Sequence, residues 1–224
     1  MLMMMMRKVT LLVLLVVVFG LLVNGKASAN LLASGSFELG AIGVVPDGSF
    51  EAVGHAPWLP SNAISGWTVT SGNVDWVHTD FFQASDGDYN IDLSGVIIAG
   101  ELQSDEFATV IGLEYSLTFD MAGNPQGSPT VKSLFVDVGD ASNVAFFFDT
   151  TGITEQNLGW IEMSLNFMAT SSTSRVTFRS GVSSGYGPLL DNVAVVPERN
   201  TALLLGFGLV GLGIKTRRRR AVLH

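Results

Sequence analysis

Cysteine is absent from the 224 residues, so disulfides, thiolate metal sites and thiol nucleophiles are all excluded. Histidine is scarce: His55, His78 and His224 are too few to furnish a zinc site or a His-based triad. Basic residues are missing from the middle of the chain. Between Asn30 and Glu198 only Lys132, Arg175 and Arg179 stand against all 20 acids, three positive charges against 20 negative ones, or −17. Such a surface repels phosphate backbones and anionic headgroups, which argues against nucleic-acid partners and for an acidic extracytoplasmic domain. Sustained helical periodicity is also lacking outside the two ends. Roughly 170 residues suffice for one domain with a sizeable core and are too few for two.

What is present begins with two addresses. Arg7-Lys8, an apolar run from Val9 to Val23 and the small residues Ala27 and Ala29 read as a signal peptide over residues 1–29, cleaved before Asn30; an uncleaved anchor is the alternative. At the other end Pro197-Glu198 precedes an apolar stretch from Thr201 to Ile214, then Lys215 and Arg217 to Arg220. Fourteen helical residues reach about 21 Å, short of a roughly 30 Å hydrocarbon core, unless snorkelling arginines extend it. Residues 197–224 resemble the PEP-CTERM sorting signal of Gram-negative bacteria, with Arg199 where that family carries a second proline. The resemblance implies a protein held in the inner membrane by a short transmembrane helix until an exosortase-type transpeptidase acts near Pro197 and Glu198, then released to the surface or matrix. A plain C-terminal anchor is the other reading.

Between the ends, apolar residues alternate with period two, the mark of strands with one buried face. Leu113, Tyr115, Leu117, Phe119 and Met121 share one face; Leu134, Val136 and Val138, Val144, Phe146 and Phe148, Ile161 to Phe167, Val176 and Phe178, and Val193 and Val195 repeat the pattern. Gly/Pro/Asn/Asp turns separate them. The pattern predicts an all-β, antiparallel β-sandwich of jelly-roll type over residues 30–196. Residues 41–65, with Pro46, Pro57 and Pro60, read as a long irregular loop.

Asn30 to Glu38, Ile64-Ser-Gly-Trp-Thr-Val69, Val74-Asp-Trp-Val77, Asp86 to Gly95, Phe119 to Pro125, Phe148 to Gly152, Gly159-Trp160 and Gly187-Pro-Leu-Leu-Asp-Asn-Val193 occur in an order that resembles the choice-of-anchor C family. That family has a galactose-binding-like jelly roll and is related to paired domains of plant cell-wall proteins. The resemblance implies a non-catalytic module that binds or organises extracellular polysaccharide. It also implies a structural calcium joining the chain ends, with Ser36, Glu38 and Asp191 as candidate ligands; ordinary turn-capping by the two acids is the alternative.

Asp86, Asp88, Asn90 and Asp92 have the early spacing of an EF-hand loop, but Ile97 stands where a bidentate Glu is required. They read instead as a turn followed by the solvent face of a strand. Gly181-Val-Ser-Ser-Gly185 has the nucleophile-elbow pattern yet opens no helix, and reads as a turn. For stacking on a sugar ring the candidates are Trp58, Trp76 and Tyr186, with Asp75 as a hydrogen-bonding partner; Tyr89, His78 and Gln83 are further possibilities, while Trp67 and Trp160 are expected in the core. A glycoside hydrolase or lyase using two carboxylates, or a matrix protein without a small ligand, are the competing readings.

Overall fold

A computed structural model of the chain describes residues 29–40, 45, 48–54, 57–96 and 98–198. The expected signal peptide up to residue 28, Ala27 included, and the expected membrane segment 201–214 lie outside the described residues. Among those described, no helix is long and apolar enough to cross a membrane.

The strands, in chain order, are β1 (Phe50–Gly54), β2 (Leu59–Pro60), β3 (Trp67–Ser71), β4 (Val74–His78), β5 (Tyr89–Asp92), β6 (Glu101–Ser104), β7 (Phe107–Ala108), β8 (Glu114–Gly123), β9 (Val131–Val138), β10 (Ala141–Asp149), β11 (Ile161–Met168), β12 (Thr173–Ser174), β13 (Thr177–Ser180) and β14 (Pro188–Pro197). They form a seven-stranded sheet in the order β11-β8-β14-β5-β4-β1-β2 and a five-stranded sheet in the order β10-β9-β13-β6-β3, with a small β12-β7 ribbon beside them. Every pairing is antiparallel except β1 with β2.

Period two decides what lies between the sheets. Leu117, Phe119 and Met121 of β8, Leu190 and Val195 of β14, Ile91 of β5 and Trp76 of β4 face Leu134, Val136, Leu102, Phe178 and Val69 of the smaller sheet, all of them buried. Phe119 meets Phe178 edge-on at 5.2 Å between ring centroids, and Trp67 lies beside Phe178 and Phe37. Face-to-face sheets with aromatics interlocking across the gap are how a chain without disulfides gathers its core.

Two expectations are corrected. Residues 41–65 are not simply a loop: β1 and β2 lie within them, and Phe50 to Val53 pair with Val77 to Val74. The supposed solvent face of Asp88, Asn90 and Asp92 is exposed only at its start, because Asn90 and Asp92 are buried. All five residues of β4 are buried as well. The outer face of the large sheet is therefore covered at β4 and β5 by a second layer of loops, and this layer makes the site.

Candidate functional site

Asp75 on β4 pairs directly with Asp92 on β5, and Asp92 with Leu189 on β14, so both acids project from the outer face. A cleft of about 220 Å³ opens above them, walled by Phe50, Phe81, Phe82, Val96 and Tyr186 and edged by Asn124 and Gln126. Drug-sized ligands occupy roughly 300–1,000 Å³, so this space suits a single ring-sized group.

The floor is built from backbone donors and one buried lysine. Asp92 accepts from the N–H of Ser94 at 2.9 Å, the N–H of Gly187 at 3.1 Å and Asn124 Nδ2 at 2.8 Å. Glycine at 187 is required, because a Cβ there would stand 2.5 Å from Asp92 Oδ1 and Ser94 Oγ. Lys132 is buried and donates through Nζ to the carbonyls of Gly127 at 2.7 Å and Tyr186 at 2.8 Å. It thereby holds two loops together, and the Tyr186 ring lies against Gly127, where even a Cβ would collide with it.

Asp75 is provided for differently. Its residue is 7% exposed, and its Oδ1 is buried with no hydrogen-bond partner. Burial, and then the facing charge of Asp92, push its pKa up to about 8, against the pull of the Val96 N–H. Asp92 is raised as well, by burial, with Asn124, Ser94, Gly187 and Lys132 opposing. Burial lowers Lys132 while Asp92 pulls it back up. Asp75, which lines the cleft, thus keeps a carboxyl oxygen that has lost water and gained no partner, a cost a donor reaching it would relieve.

Of the candidate contacts, Asp75 and Tyr186 meet in this cleft. Trp76 does not: as the neighbour of Asp75 on a strand it points to the opposite face, is 2% exposed, and donates from Nε1 to Phe37 O at 3.1 Å within the core. Trp58 is 38% exposed but lies in the turn before β2, outside the cleft lining. Trp67 is core, as expected. Phe50, Phe81, Asp92, Asn124 and Lys132 were missed. Unbroken apolar pairs such as Phe81-Phe82 and Leu189-Leu190 were the available signal, since they mark places covered from both sides.

Ser36, Glu38 and Asp191 do not form a coordination set. Glu38 accepts from the N–H groups of Asp88 and Tyr89, and Asp191 Oδ2 from the N–H groups of Ser85 and Asp86 and from Ser85 Oγ, while Oδ1 takes the Asn192 N–H. These carboxylates thus accept N–H donors in the structure, and no group of three or more His, Cys, Asp or Glu among the described residues is placed to hold a metal. The chain ends are joined instead by Asn30, whose side chain donates to Val193 O and accepts from Val195 N–H. Pro197 pairs with Tyr115 at the end of β14, the Glu198 N–H donates to Glu114 O, and Ala29 is the first described residue.

Fold and site together define a two-sheet all-β sandwich with an acidic cleft, lined by aromatic residues, on its larger sheet. The chain belongs to the family described as "Protein of unknown function (DUF642)", which it matches over residues 30–196. It is 28% identical over 188 residues to halomucin of Haloquadratum walsbyi, a match covering 82% of this chain and only 2% of the length of that protein. Among solved structures it is similar to the module TmCBM61 in complex with β-1,4-galactotriose (17% identity, 76% of this chain and 100% of that one, TM-score 0.44). It is also similar to a family 16 carbohydrate-binding module (14% identity, 75% and 99%, TM-score 0.45) and to the CBM22-1 xylan-binding domain from Paenibacillus barcinonensis (18% identity, 78% and 97%, TM-score 0.45).

Proposed function

We propose that this chain is an exported, non-catalytic carbohydrate-binding module acting in extracellular polysaccharide or at the cell envelope. The observation that carries the reading is the cleft itself. A sugar ring offers polarised C–H faces to aromatic walls and hydroxyls to carboxyl and amide groups, and here Phe81 and Tyr186 flank a floor of Asp75 with Asn124 and Gln126 at the rim. A second shallow depression, lined by Pro125 and residues 153–156, lies across the turn from Gln126, which extends the surface for a polymer. Titration of the purified protein with soluble polysaccharides tests the reading. Tyr186→Ala is expected to weaken binding at least tenfold while leaving the thermal melt in place; equal affinity in wild type and Tyr186→Ala would remove the cleft from consideration.

One observation favours a hydrolase: Asp75, held protonated near neutral pH, faces a second carboxyl across a strand pair. Against it, Asp92 already accepts three hydrogen bonds and is not free to act as nucleophile or base. Release of reducing sugar on prolonged incubation would decide for the enzyme.

The proposal includes the two addresses and the choice-of-anchor C likeness: removal of residues 1–29, then retention through a PEP-CTERM-type tail until an exosortase-type enzyme cuts beside Pro197-Glu198. Because β14 stays paired up to Pro197, a cut beyond Glu198 leaves the sandwich whole. Intact mass of the secreted protein tests both cuts, with Asn30 as the expected first residue.

A further inference from the structure

Two carboxyls, Asp75 and Asp92, face each other across the β4–β5 pair beside the cleft, and among the described residues no cation is placed on Asp75. The three basic side chains among the described residues are Lys132, Arg175 and Arg179. Arg175 pairs with Glu106 and Arg179 with Asp137 on other parts of the molecule, and Lys132, whose charge acts on Asp92, directs its donors to two backbone carbonyls. No cation is given to Asp75, and its buried Oδ1, in a residue 7% exposed, lacks even a neutral donor. Phe50, Phe81 and Tyr186 line the same cleft as Asp75. A carboxyl among aromatic side chains is suited to an ammonium group, which satisfies the oxygen and draws Asp75 into its ionised form while the ring faces contribute cation–π attraction. A neutral hydroxyl satisfies only the first, and a uronate would meet two acids.

Building on the carbohydrate reading, we propose that the cleft takes the free-amine unit of a deacetylated amino-sugar polymer, its nitrogen at Asp75 and its ring between Phe81 and Tyr186. The test compares a glucosamine tetramer with its N-acetylated counterpart by calorimetric titration of the purified protein in 0.15 M salt, where diffuse attraction to the acidic surface is screened. The expected result is at least tenfold tighter binding of the free amine. Asp75→Asn, which keeps the shape, should erase that preference; where its melt shows it unfolded, Phe81→Leu is read instead and should weaken the free amine several-fold. The proposal is overturned if the N-acetylated or a neutral tetramer binds as tightly, in which case the carbohydrate reading stands. It is also overturned if folded Asp75→Asn keeps the preference, which would assign it to overall charge. If no glycan binds at all, both readings fall.

Discussion

Asp75 and Asp191 give the protein an unusual response to pH. Burial raises both carboxyls in the folded state, to about 8 and about 7, from an ordinary value of 3.8. Between those limits the native state holds protons that the unfolded chain has released, so the slope of stability with pH is negative. Their contribution is fully present below about pH 4 and is lost as pH rises through 7 to 8. Urea midpoints are therefore expected to be higher at pH 5 than at pH 8, and Asp75→Asn should flatten the decline; a midpoint that rises over this interval in the wild type would contradict the assignment. Asp191 has a second role, as the acceptor for loop 85–86. Asp191→Ala leaves the Ser85, Asp86 and Asn192 N–H groups without their acceptor, an expected cost of about 1–3 kcal/mol by urea denaturation.

β4 shows how one strand serves two purposes. Trp76 faces the core and Asp75 the cleft, so Trp76→Phe is expected to lower stability by about 1–3 kcal/mol with the affinity of the folded protein unchanged, whereas folded Asp75→Asn should lower affinity for the free amine. Equal loss of affinity in both would mean that the cleft depends on the core behind it. The junction before β14 is equally constrained. Gly187→Ala places a methyl against Asp92 and Ser94, and Lys132→Met frees the carbonyls of Gly127 and Tyr186. Both should reduce binding through displacement of Tyr186, which chymotryptic cleavage after Tyr186 or hydrogen exchange across residues 181–187 would register as faster opening. The strands themselves were legible: of the run Leu113 to Met121 all but Leu113 falls on β8, Leu134 to Val138 on β9 and Val193 to Val195 on β14, because alternation is a property of each segment alone. β1 and β2 were not, since the prolines and glycines around them mask a pairing supplied by distant Val74 to Val77.

Among the described residues, hydrogen bonds join the two ends of the sandwich. Asn30 bridges to β14, and Gly35 packs so tightly on Val193 that a Cβ would stand 1.9 Å from its carbonyl oxygen. Glu38 and Asp191 grip opposite ends of the 85–89 loop. With their oxygens already engaged, thermal melts in calcium and in chelator are expected to coincide; a calcium-dependent rise would show that these carboxylates rearrange around an ion. Asn30→Ala should lower the melt in either medium, because three hydrogen bonds of the clasp are lost at once.

Composition and period two were enough to determine the acidic character, the dependence on a hydrophobic core and the all-β class, since charge and alternation belong to residues near one another in the chain. They also placed Asp75 and Tyr186 among the candidate contacts. Only the tertiary structure decided which face of each strand is covered. Asp92 looks like a solvent-facing residue until loops 81–82 and 185–187, remote in sequence, fold over it, and Trp76 looks like a contact until the second sheet closes on its other side. Burial is a long-range property, and it is burial that turns Asp75 from an ordinary surface acid into a cleft-lining carboxyl with one oxygen left without a partner.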